Sequence, residues 1–326
     1  MSPDAAEAVI GAPGIAGIEQ ICDLSSTVPL TKFDSDRSRR LLADVEVLIT
    51  GWGSPILDAA VLDSAPGLEL IVHTAGSIRG HVTQECFDRG ITVVSAAAAN
   101  ARPVVEYTLA MILLEGKHVL RRAAQYRRDR SIPTLAQTDS SLGNFGRTVG
   151  ILSASLIGRG VMELLRHHDC SVLLYDPYVE PNTAADYGAE LVGIEELFRR
   201  SDIISVHTPL LPATRGMVSR RLIESMPPGA VLINTSRGAI VDQSALTDSV
   251  LDDRLRAVLD VTDPEALPPE HPLWDCENVL LTPHLAGSQG NELGRLRALA
   301  LEELRRWVLG DDLMHSLPPN ALEITA

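Results

Sequence analysis

The chain has 326 residues, more than a single domain usually holds, so we expect two compact units that each bury a core. Hydrophobic residues make up 45% and charged residues 22%, a balance that is typical of a folded globular protein and excludes a mainly disordered chain. The formal net charge of −15 repels phosphate backbones and anionic lipids, so we expect no nucleic-acid partner and no membrane partner.

Cysteine usage and the amino-terminal stretch indicate the compartment. Asp4 and Glu7 precede a weakly apolar stretch, which lacks the basic start and apolar run of a signal peptide, and no apolar run is long enough to span a membrane. The cysteines lie far apart without a CxxC pair, which predicts reduced thiols and neither a disulfide framework nor a metal site. They are Cys22, Cys86, Cys170 and Cys276. We therefore expect a cytoplasmic protein.

The first hundred residues contain three apolar runs that predict buried strands, at 45–50, 68–73 and 91–95. Amphipathic stretches separate these runs, so a small α/β unit is expected here. A long helix is then predicted from Pro103 to about Arg128, because proline suits the first position of a helix, where its missing N–H has no partner. This helix is expected to cross from the first unit to the second.

The central region alternates short apolar runs with amphipathic ones, which is typical of a parallel sheet built from βαβ units. Six strands are predicted, at 148–152, 172–175, 203–206, 230–234, 257–260 and 279–282. Helices are predicted between most of them, at 156–167, 194–200, 220–225 and 244–252. This order predicts a doubly wound sheet.

The last predicted helix, at 293–309, carries an apolar stripe that must be buried against another element. A return to the first unit is the simplest way to bury it. We therefore expect residues 1–101 and 288–326 to form one discontinuous domain, and residues 102–287 to form the other.

A nucleotide site is indicated at the turn between the first strand and the first helix of the second domain. A GxGxxG loop is expected there, but serines stand at its first two glycine positions, Ser153 and Ser155, and only Gly158 is kept. The serine hydroxyls and the helix amino terminus at Leu156 and Ile157 are candidates to bind phosphate. Alone, the motif is weak, and an ordinary strand-to-helix turn is the alternative.

Asp176 strengthens the nucleotide interpretation. It ends the next strand, about twenty residues after the loop, and is followed by Pro177. A carboxylate at this place accepts hydrogen bonds from the ribose hydroxyls of a dinucleotide and repels a 2′-phosphate. NAD is therefore favoured over NADP as the cofactor.

Four ordered segments carry a resemblance to a known family. They are SDIISVHTPL at 201–210, LINTSRGAIVD at 232–242, LDVTDPE at 259–265 and LTPHLAG at 281–287. In these segments the chain resembles the D-isomer-specific 2-hydroxyacid dehydrogenases, from about Val45 to the final helix. The resemblance implies an α/β fold with a Rossmann NAD-binding domain at 102–287 and a smaller flavodoxin-like substrate domain. It also implies hydride transfer between NAD(H) and C2 of a small D-2-hydroxy or 2-keto acid.

The resemblance implies three catalytic residues. Arg237 would hold the substrate carboxylate and polarise the C2 carbonyl, His284 would exchange the hydroxyl proton, and Glu265 would pair with the imidazole. The chemistry asks for these types, because an arginine recognises a planar carboxylate with two bonds and a histidine titrates near neutral pH. Taken singly, each has another interpretation: a surface cation, a solvated loop acid and a capped histidine.

The resemblance also implies residues that contact the cofactor and the substrate. The further cofactor candidates are Val104, His207, Thr208, Pro209, Thr214, Thr235, Ser236 and Asp260. The substrate candidates in the first domain are Ala75, Gly76, Ser77, Arg79 and Asn100. Arg79 stands where the family commonly has an aspartate, and it either adds a second cation to the site or pairs with an acid at the surface.

Other functions within the family stay open from sequence. A corepressor-like protein that binds NAD(H) with little turnover, and a phosphite dehydrogenase, are the alternatives to a keto-acid reductase. Formate is disfavoured, because formate dehydrogenases carry glutamine where this chain has Glu265. We expect a homodimer, as is common in the family, and no carboxyl-terminal regulatory domain of the kind that many phosphoglycerate dehydrogenases carry.

Overall fold

The computed structural model describes residues 1–134 and 142–324. Within them, ten strands form two sheets in which every neighbouring pair is parallel. The strands are β1 (Val47–Thr50), β2 (Leu70–His73), β3 (Thr92–Ser95), β4 (Arg147–Leu152), β5 (Cys170–Tyr175), β6 (Ala189–Leu191), β7 (Ile203–Val206), β8 (Val231–Asn234), β9 (Arg256–Leu259) and β10 (Val279–Leu281).

The helices in the described residues fall mostly between the strands. They are α1 (Pro3–Ala5), α2 (Gly11–Glu19), α3 (Asp36–Leu42), α4 (Ala59–Asp63), α5 (Gln84–Asp88), α6 (Ala97–Gly116), α7 (Val119–Asp129), α8 (Leu156–Leu165), α9 (Pro181–Asp186), α10 (Ile194–Arg200), α11 (Arg220–Ser225), α12 (Gln243–Leu251), α13 (Leu293–Leu309) and α14 (Ala321–Ile324). A π-helical turn, Ala6–Ile10, joins α1 to α2. No helix in the described ranges is long and apolar enough to cross a membrane.

The chain divides into two compact units: unit 1 comprises Met1–Ala101 and Ser288–Ala326, and unit 2 comprises Arg102–Gly287. The sheet of unit 2 has seven strands in the order β10-β9-β8-β7-β4-β5-β6. The chain therefore starts in the middle of the sheet, builds outward to β6, and returns to build the other half from β7. This is the doubly wound order of a Rossmann fold, and the predicted fold class is confirmed.

The strands β7, β8 and β9 of unit 2 are buried on both faces, and so are the last four residues of β4. Ile151 and Ile203 enter one apolar layer, and their neighbours Leu152 and Ile204 enter the other. Successive side chains of a strand point to opposite faces, so a strand covered by helices on both sides must be apolar throughout. The core explains why these strands appear in the sequence as continuous apolar runs.

Two short elements of unit 2 are absent from the sequence prediction. β6 has only three residues, and α9, which precedes it, has six. The edge strand β6 pairs with β5 alone and contains an exposed Glu190, so it lacks the apolar run that marks a buried strand.

The predicted single helix at 103–128 is wrong. The structure has α6 and α7, separated at His118, whose backbone is left-handed (φ 49°). α6 begins at Ala97, where the Ser95 hydroxyl accepts a hydrogen bond from the first N–H, so Pro103 lies inside the helix rather than at its first position. The end of α6 is fixed because Gly143 donates its main-chain N–H to the Gly116 carbonyl.

Unit 1 is a smaller α/β unit whose parallel sheet has the order β1-β2-β3. α13 occupies the predicted residues and buries Leu296, Ala300 and Leu304 in the cores of this unit. The amino-terminal helices, which the sequence did not predict, pack against α13. A Cβ added at Gly17 would lie 2.7 Å from a methyl carbon of Leu301, so glycine allows these helices to approach closely.

Candidate active site

The three predicted catalytic residues follow neighbouring strands of unit 2. Arg237 lies three residues after β8, Glu265 follows β9, and His284 lies three residues after β10. Because β8, β9 and β10 are parallel and adjacent, their carboxyl ends share one edge of the sheet. Ligand sites of open α/β sheets lie at this edge.

His284 and Glu265 form a direct pair. The Nδ1 atom of His284 lies 2.5 Å from an Oε1 oxygen of Glu265, and both side chains are about half exposed (50% and 59%). With Nδ1–H donating to the carboxylate, the tautomer is set and Nε2 is left to exchange a proton with another molecule. The pair therefore has the arrangement of a general acid/base whose orientation is held by a carboxylate.

The loop that carries His284 is held by Asp260. His284 itself has a left-handed backbone (φ 52°), and its N–H donates to the main-chain oxygens of Asp260 and Thr282, at 3.0 Å each. The buried Asp260 carboxylate accepts the N–H groups of Leu285 and Ala286 at 2.8 and 2.9 Å. Asp260, a predicted cofactor residue, thus lies beneath the loop and fixes the histidine that the loop presents.

A tyrosine that the sequence did not single out extends this network. The Thr282 hydroxyl donates to Asp260 at 2.6 Å, and the Tyr107 hydroxyl, 2.9 Å from the Thr282 oxygen, is then the donor to Thr282. Burial, which is the largest influence, raises the pKa of Tyr107. The polar end of a half-buried tyrosine on α6 needs a partner, and this requirement was the only sequence signal for its role.

Arg237 is held close to the sheet by its own loop. One guanidinium nitrogen donates to the Ser236 carbonyl at 2.7 Å, and the Asn234 side chain donates to the Arg237 carbonyl at 3.0 Å. Burial lowers the pKa of Arg237, and the charge of Glu265 acts in the opposite direction. The guanidinium nevertheless stays charged, since an arginine does not lose its proton in proteins.

Gly238 brings the arginine loop against the segment before Glu265. A Cβ at Gly238 would lie 2.0 Å from the Thr262 carbonyl carbon and 2.6 Å from the Asp263 nitrogen. Both contacts are with main chain, so no side-chain rotation could relieve them. The missing side chain of Gly238 therefore sets the spacing between the loops of Arg237 and Glu265.

The β4–α8 turn has the shape of a nucleotide loop in spite of its serines. Ser153 has φ 84°, a conformation that glycine adopts without cost, and Ser155 caps α8 by accepting the Gly158 N–H at 3.3 Å. A Cβ at Gly158 would lie 2.1 Å from the Ser153 carbonyl oxygen, so glycine is needed there for close packing. No described residue accepts the N–H groups of Leu156 and Ile157.

Asp176 lies beside this turn. Its Oδ2 accepts the Ser153 hydroxyl at 3.2 Å and the Ala154 N–H at 2.9 Å, and its Oδ1 accepts the Tyr178 N–H at 2.9 Å. The intervening Pro177 has no N–H to donate. An ionised carboxylate accepts about four hydrogen bonds, so one place on Oδ1 stays open to a ribose hydroxyl.

The residues after β7 form a second polar group at the same edge. His207 is buried, neither of its ring nitrogens has a partner among the described residues, and burial lowers its pKa to about 3. Such an orphaned neutral ring suits a site whose remaining partner is a ligand. The Thr208 hydroxyl donates to the Leu152 carbonyl at 3.4 Å, and the Thr214 hydroxyl donates to the Pro209 carbonyl at 2.6 Å.

The other predicted cofactor residues of unit 2 are buried. Ser236 donates its hydroxyl to the Thr208 carbonyl at 2.5 Å, and the hydroxyls of Thr235 and Thr108 lie 3.3 Å apart. Val104 lies on α6 and is also buried. Together with the α8 amino terminus, Asp176 and His207, these residues fit a dinucleotide along the carboxyl edge of the sheet.

The predicted substrate loop of unit 1 follows β2. Ala75 is buried, and a Cβ at Gly76 would lie 3.0 Å from the side-chain nitrogen of Asn100. The side-chain oxygen of Asn100 accepts the Ser288 N–H at 3.0 Å. The Ser77 hydroxyl accepts the Arg79 N–H, while the Arg79 guanidinium is exposed and donates to the Leu322 carbonyl. Arg79 therefore makes a contact at the surface with a main-chain carbonyl, and its part in substrate binding stays a prediction.

Two buried histidines of unit 1 near this loop were not predicted. His73 and His81 stack with ring centroids 5.6 Å apart, and the Thr50 hydroxyl lies 2.9 Å from Nδ1 of His73. Burial, reinforced by His81, lowers the pKa of His73 to about 4. Within residues 1–134 and 142–324, no group of three His, Cys, Asp or Glu side chains could hold a metal ion, and all four cysteines are free thiols.

Comparison with known proteins gives the family. The family model described as D-isomer specific 2-hydroxyacid dehydrogenase, NAD binding domain, matches residues 109–286, more than half of the chain. The chain belongs to this family. Its oxidoreductases bind a nicotinamide cofactor in the domain that the family model describes, and unit 2 contains all of the matched residues.

Among family members, a D-3-phosphoglycerate dehydrogenase of Mycobacterium leprae is 31% identical over 85% of this chain and 52% of its own length. The chain thus spans about half the length of the phosphoglycerate dehydrogenases that it matches. A glyoxylate reductase of Korarchaeum cryptofilum is 29% identical over 94% of this chain and 91% of its own. A phosphoglycerate oxidoreductase from Rhizobium etli has the same fold, with a TM-score of 0.80, 22% identity and coverage of 97% and 95% of the two chains.

Proposed function

We propose that this protein is an NAD(H)-dependent D-2-hydroxyacid dehydrogenase that acts at C2 of a small 2-keto or 2-hydroxy acid. The observation that carries the proposal is the 2.5 Å pair of His284 and Glu265 at the sheet edge that also bears Arg237. An acid/base, its partner and a fixed cation together supply the proton and the positive charge that the reduction of a keto acid requires in addition to a hydride.

The mechanism follows from these groups. Arg237 binds the substrate carboxylate and polarises the C2 carbonyl, because its charge is fixed and partly desolvated. The cofactor supplies hydride to C2 when it is bound. His284 gives the Nε2 proton to the oxygen that becomes the hydroxyl, and Glu265 stabilises the imidazolium and holds its ring. Oxidation of the hydroxy acid uses the same groups in reverse.

NAD is the proposed cofactor, in preference to NADP. Asp176 lies beside the β4–α8 turn with one acceptor place open on Oδ1, and its negative charge repels a 2′-phosphate. A comparison of NADH and NADPH affinity tests this preference. Equal affinity for the two would contradict it.

The proposed substrate class is the short 2-keto acids, with glyoxylate and hydroxypyruvate first. Glyoxylate is suggested by the similarity to a glyoxylate reductase that is matched over 91% of its own length. Phosphohydroxypyruvate is a further substrate to test, because phosphoglycerate dehydrogenases are also similar. Because the chain has a net charge of −15, a small anionic substrate needs a local cation to bind, and we propose Arg237 as that cation.

We also propose a cytoplasmic homodimer without nucleic-acid or membrane partners. Four free thiols are typical of a reducing compartment, and the net charge of −15 disfavours binding to polyanions. Exposed apolar side chains in and after α7 favour a protein interface in this part of unit 2. They are Val119, Leu120, Tyr126, Ile132 and Phe145. Sedimentation at several concentrations tests the dimer, and a monomer throughout would contradict it.

The test of the activity measures NADH oxidation with a panel of 2-keto acids, and phosphite oxidation with NAD. We expect turnover of at least one keto acid. His284→Ala and Arg237→Ala should each lower kcat/KM by about 100- to 10,000-fold, since each removes a group that acts in the transition state. Glu265→Gln should have a smaller effect, because it keeps a hydrogen-bonding side chain and removes the charge.

His167→Ala is the matched control, because His167 is an exposed histidine of unit 2 whose side chain has no hydrogen bond in the described chain. Its turnover should equal that of the wild type. Turnover that survives in both His284→Ala and Arg237→Ala would overturn the mechanism. NADH binding without turnover of any acid would favour a sensing or corepressor-like protein instead.

A further inference from the structure

The Asp176 carboxylate already accepts three hydrogen bonds from its own chain. In the usual nucleotide loop, glycine at the first position has no side chain to offer such a carboxylate. Here the Ser153 hydroxyl donates to Oδ2 of Asp176, which already accepts the Ala154 N–H. We propose that Ser153 weakens NAD(H) binding by competing with the ribose hydroxyls for Asp176. This inference rests on the proposed function and names a residue that sets its cofactor affinity.

The competition follows from counting acceptor places. Each oxygen of an ionised carboxylate accepts about two hydrogen bonds. Oδ2 receives two donors, Ser153 and Ala154, so it is full, and Oδ1 receives one, the Tyr178 N–H. A ribose with two neighbouring hydroxyls therefore finds one open place. Its second hydroxyl must displace the serine or remain without this acceptor.

The backbone makes this serine costly to keep. Ser153 has φ 84°, in the left-handed region where a Cβ is strained. Its carbonyl oxygen also faces Gly158, where a Cβ would lie only 2.1 Å away. The turn thus has the geometry of a glycine loop, and the serine hydroxyl is its one added donor to Asp176 among the described residues. The side chain, rather than the path of the backbone, distinguishes this loop.

Ser155 acts differently, although it also replaces a glycine. Its hydroxyl accepts the Gly158 N–H as the cap of α8 and makes no hydrogen bond with Asp176. The N–H groups of Leu156 and Ile157 remain unaccepted within the described chain and available to phosphate. The effect on affinity is therefore assigned to Ser153.

The experiment measures NADH dissociation constants by ligand fluorescence for the wild type, Ser153→Ala, Ser153→Gly and Ser171→Ala. Ser153→Ala removes the hydroxyl and keeps the Cβ, whereas Ser153→Gly also relieves the left-handed strain. Ser171 is an exposed serine at the opposite end of β5 from Asp176 and is the control. We expect both Ser153 variants to bind NADH about three- to tenfold more tightly, the usual net worth of one hydrogen bond, and Ser171→Ala to match the wild type.

A second readout, the unfolding temperature without cofactor, separates the hydroxyl from the backbone. Only Ser153→Gly should raise it. Weaker or unchanged binding by Ser153→Ala would overturn the inference, and so would tightening confined to Ser153→Gly. If the wild type binds too weakly to measure and the Ser153 variants bind, the inference is supported. If the wild type binds and turns over keto acids while the variants bind no more tightly, the inference fails and the proposed function stands; if none of the proteins binds NADH, both fail.

Discussion

Replacement of Gly238 by alanine tests whether close main-chain packing sets the spacing of the proposed catalytic residues Arg237 and Glu265. The added Cβ would lie 2.0 Å from the Thr262 carbonyl carbon, and Cβ contacts below 3.0 Å are essentially never found, so the two loops must separate by about 1 Å. Gly238 is adjacent to Arg237, and Thr262 lies three residues before Glu265. Displacement of catalytic groups by about 1 Å costs up to about 100-fold in rate, and forced overpacking costs about 1–3 kcal/mol of stability.

The assay compares kcat/KM for the best keto acid and the free energy of unfolding in urea. Gly294→Ala is the control, because its Cβ would make an ordinary 3.7 Å contact and it lies inside α13, where alanine is favourable. We expect Gly238→Ala to lose about 100-fold in kcat/KM and to unfold more easily, and Gly294→Ala to keep both values or gain stability. Wild-type activity and stability in Gly238→Ala would refute the reasoning.

Two further predictions concern stability. Leu304→Ala removes a buried side chain of α13 and should lower the free energy of unfolding in urea by about 3 kcal/mol. Leu309 is 67% exposed on the same helix, so Leu309→Ala should change this free energy by less than about 0.5 kcal/mol. Equal losses in the two variants would contradict the packing. His207 has a pKa of about 3 in the fold and 6.5 as its ordinary value, so below pH ~6.5 the unfolded chain takes up a proton that the folded chain does not. Burial of His207 should therefore lower the free energy of unfolding by about 2 kcal/mol when the pH falls from neutral to ~5. The His207→Phe variant should lose about 2 kcal/mol less than the wild type over the same range. Identical pH dependence of stability in the two proteins would show that His207 is not the cause.

The sequence predicted two kinds of element best: strands that are buried on both faces, and helices that carry a clear apolar stripe. β7, α10, α11 and α13 have the predicted bounds, and the other predicted strands are correct within one or two residues. Continuous apolar strands and amphipathic helices carry this information locally, which explains the agreement.

The rest of the fold depends on tertiary contacts that a linear pattern does not contain. The break at His118 is stabilised by Gly143, which is far along the chain. The amino-terminal helices contain glycines that look like helix breakers, yet Gly17 is needed where α2 meets Leu301. Local propensity is a weak prior where packing decides.

The candidate site likewise has parts that the sequence predicted and parts that only the fold creates. Resemblance named Arg237, Glu265 and His284, and the structure places the last two in direct contact. The support of Tyr107 and Asp260 for the His284 loop was not predicted, because it joins α6, β9 and the segment after β10 through hydrogen bonds that only the fold creates. The assignment of catalytic roles to the three residues stays a prediction until the variants are assayed.

The split of unit 1 along the chain has a consequence for biosynthesis. One of its cores joins Val9 and Ile18 with Leu296 and Leu304 of α13, so this core cannot close until the whole of Arg102–Gly287 has been translated. Unit 2, whose residues are continuous, can fold first as it leaves the ribosome. Until α13 arrives, Val9 and Ile18 lack the apolar partners that α13 provides. Chaperone demand should therefore fall on the amino-terminal helices of this protein, whose core is among the last to be completed.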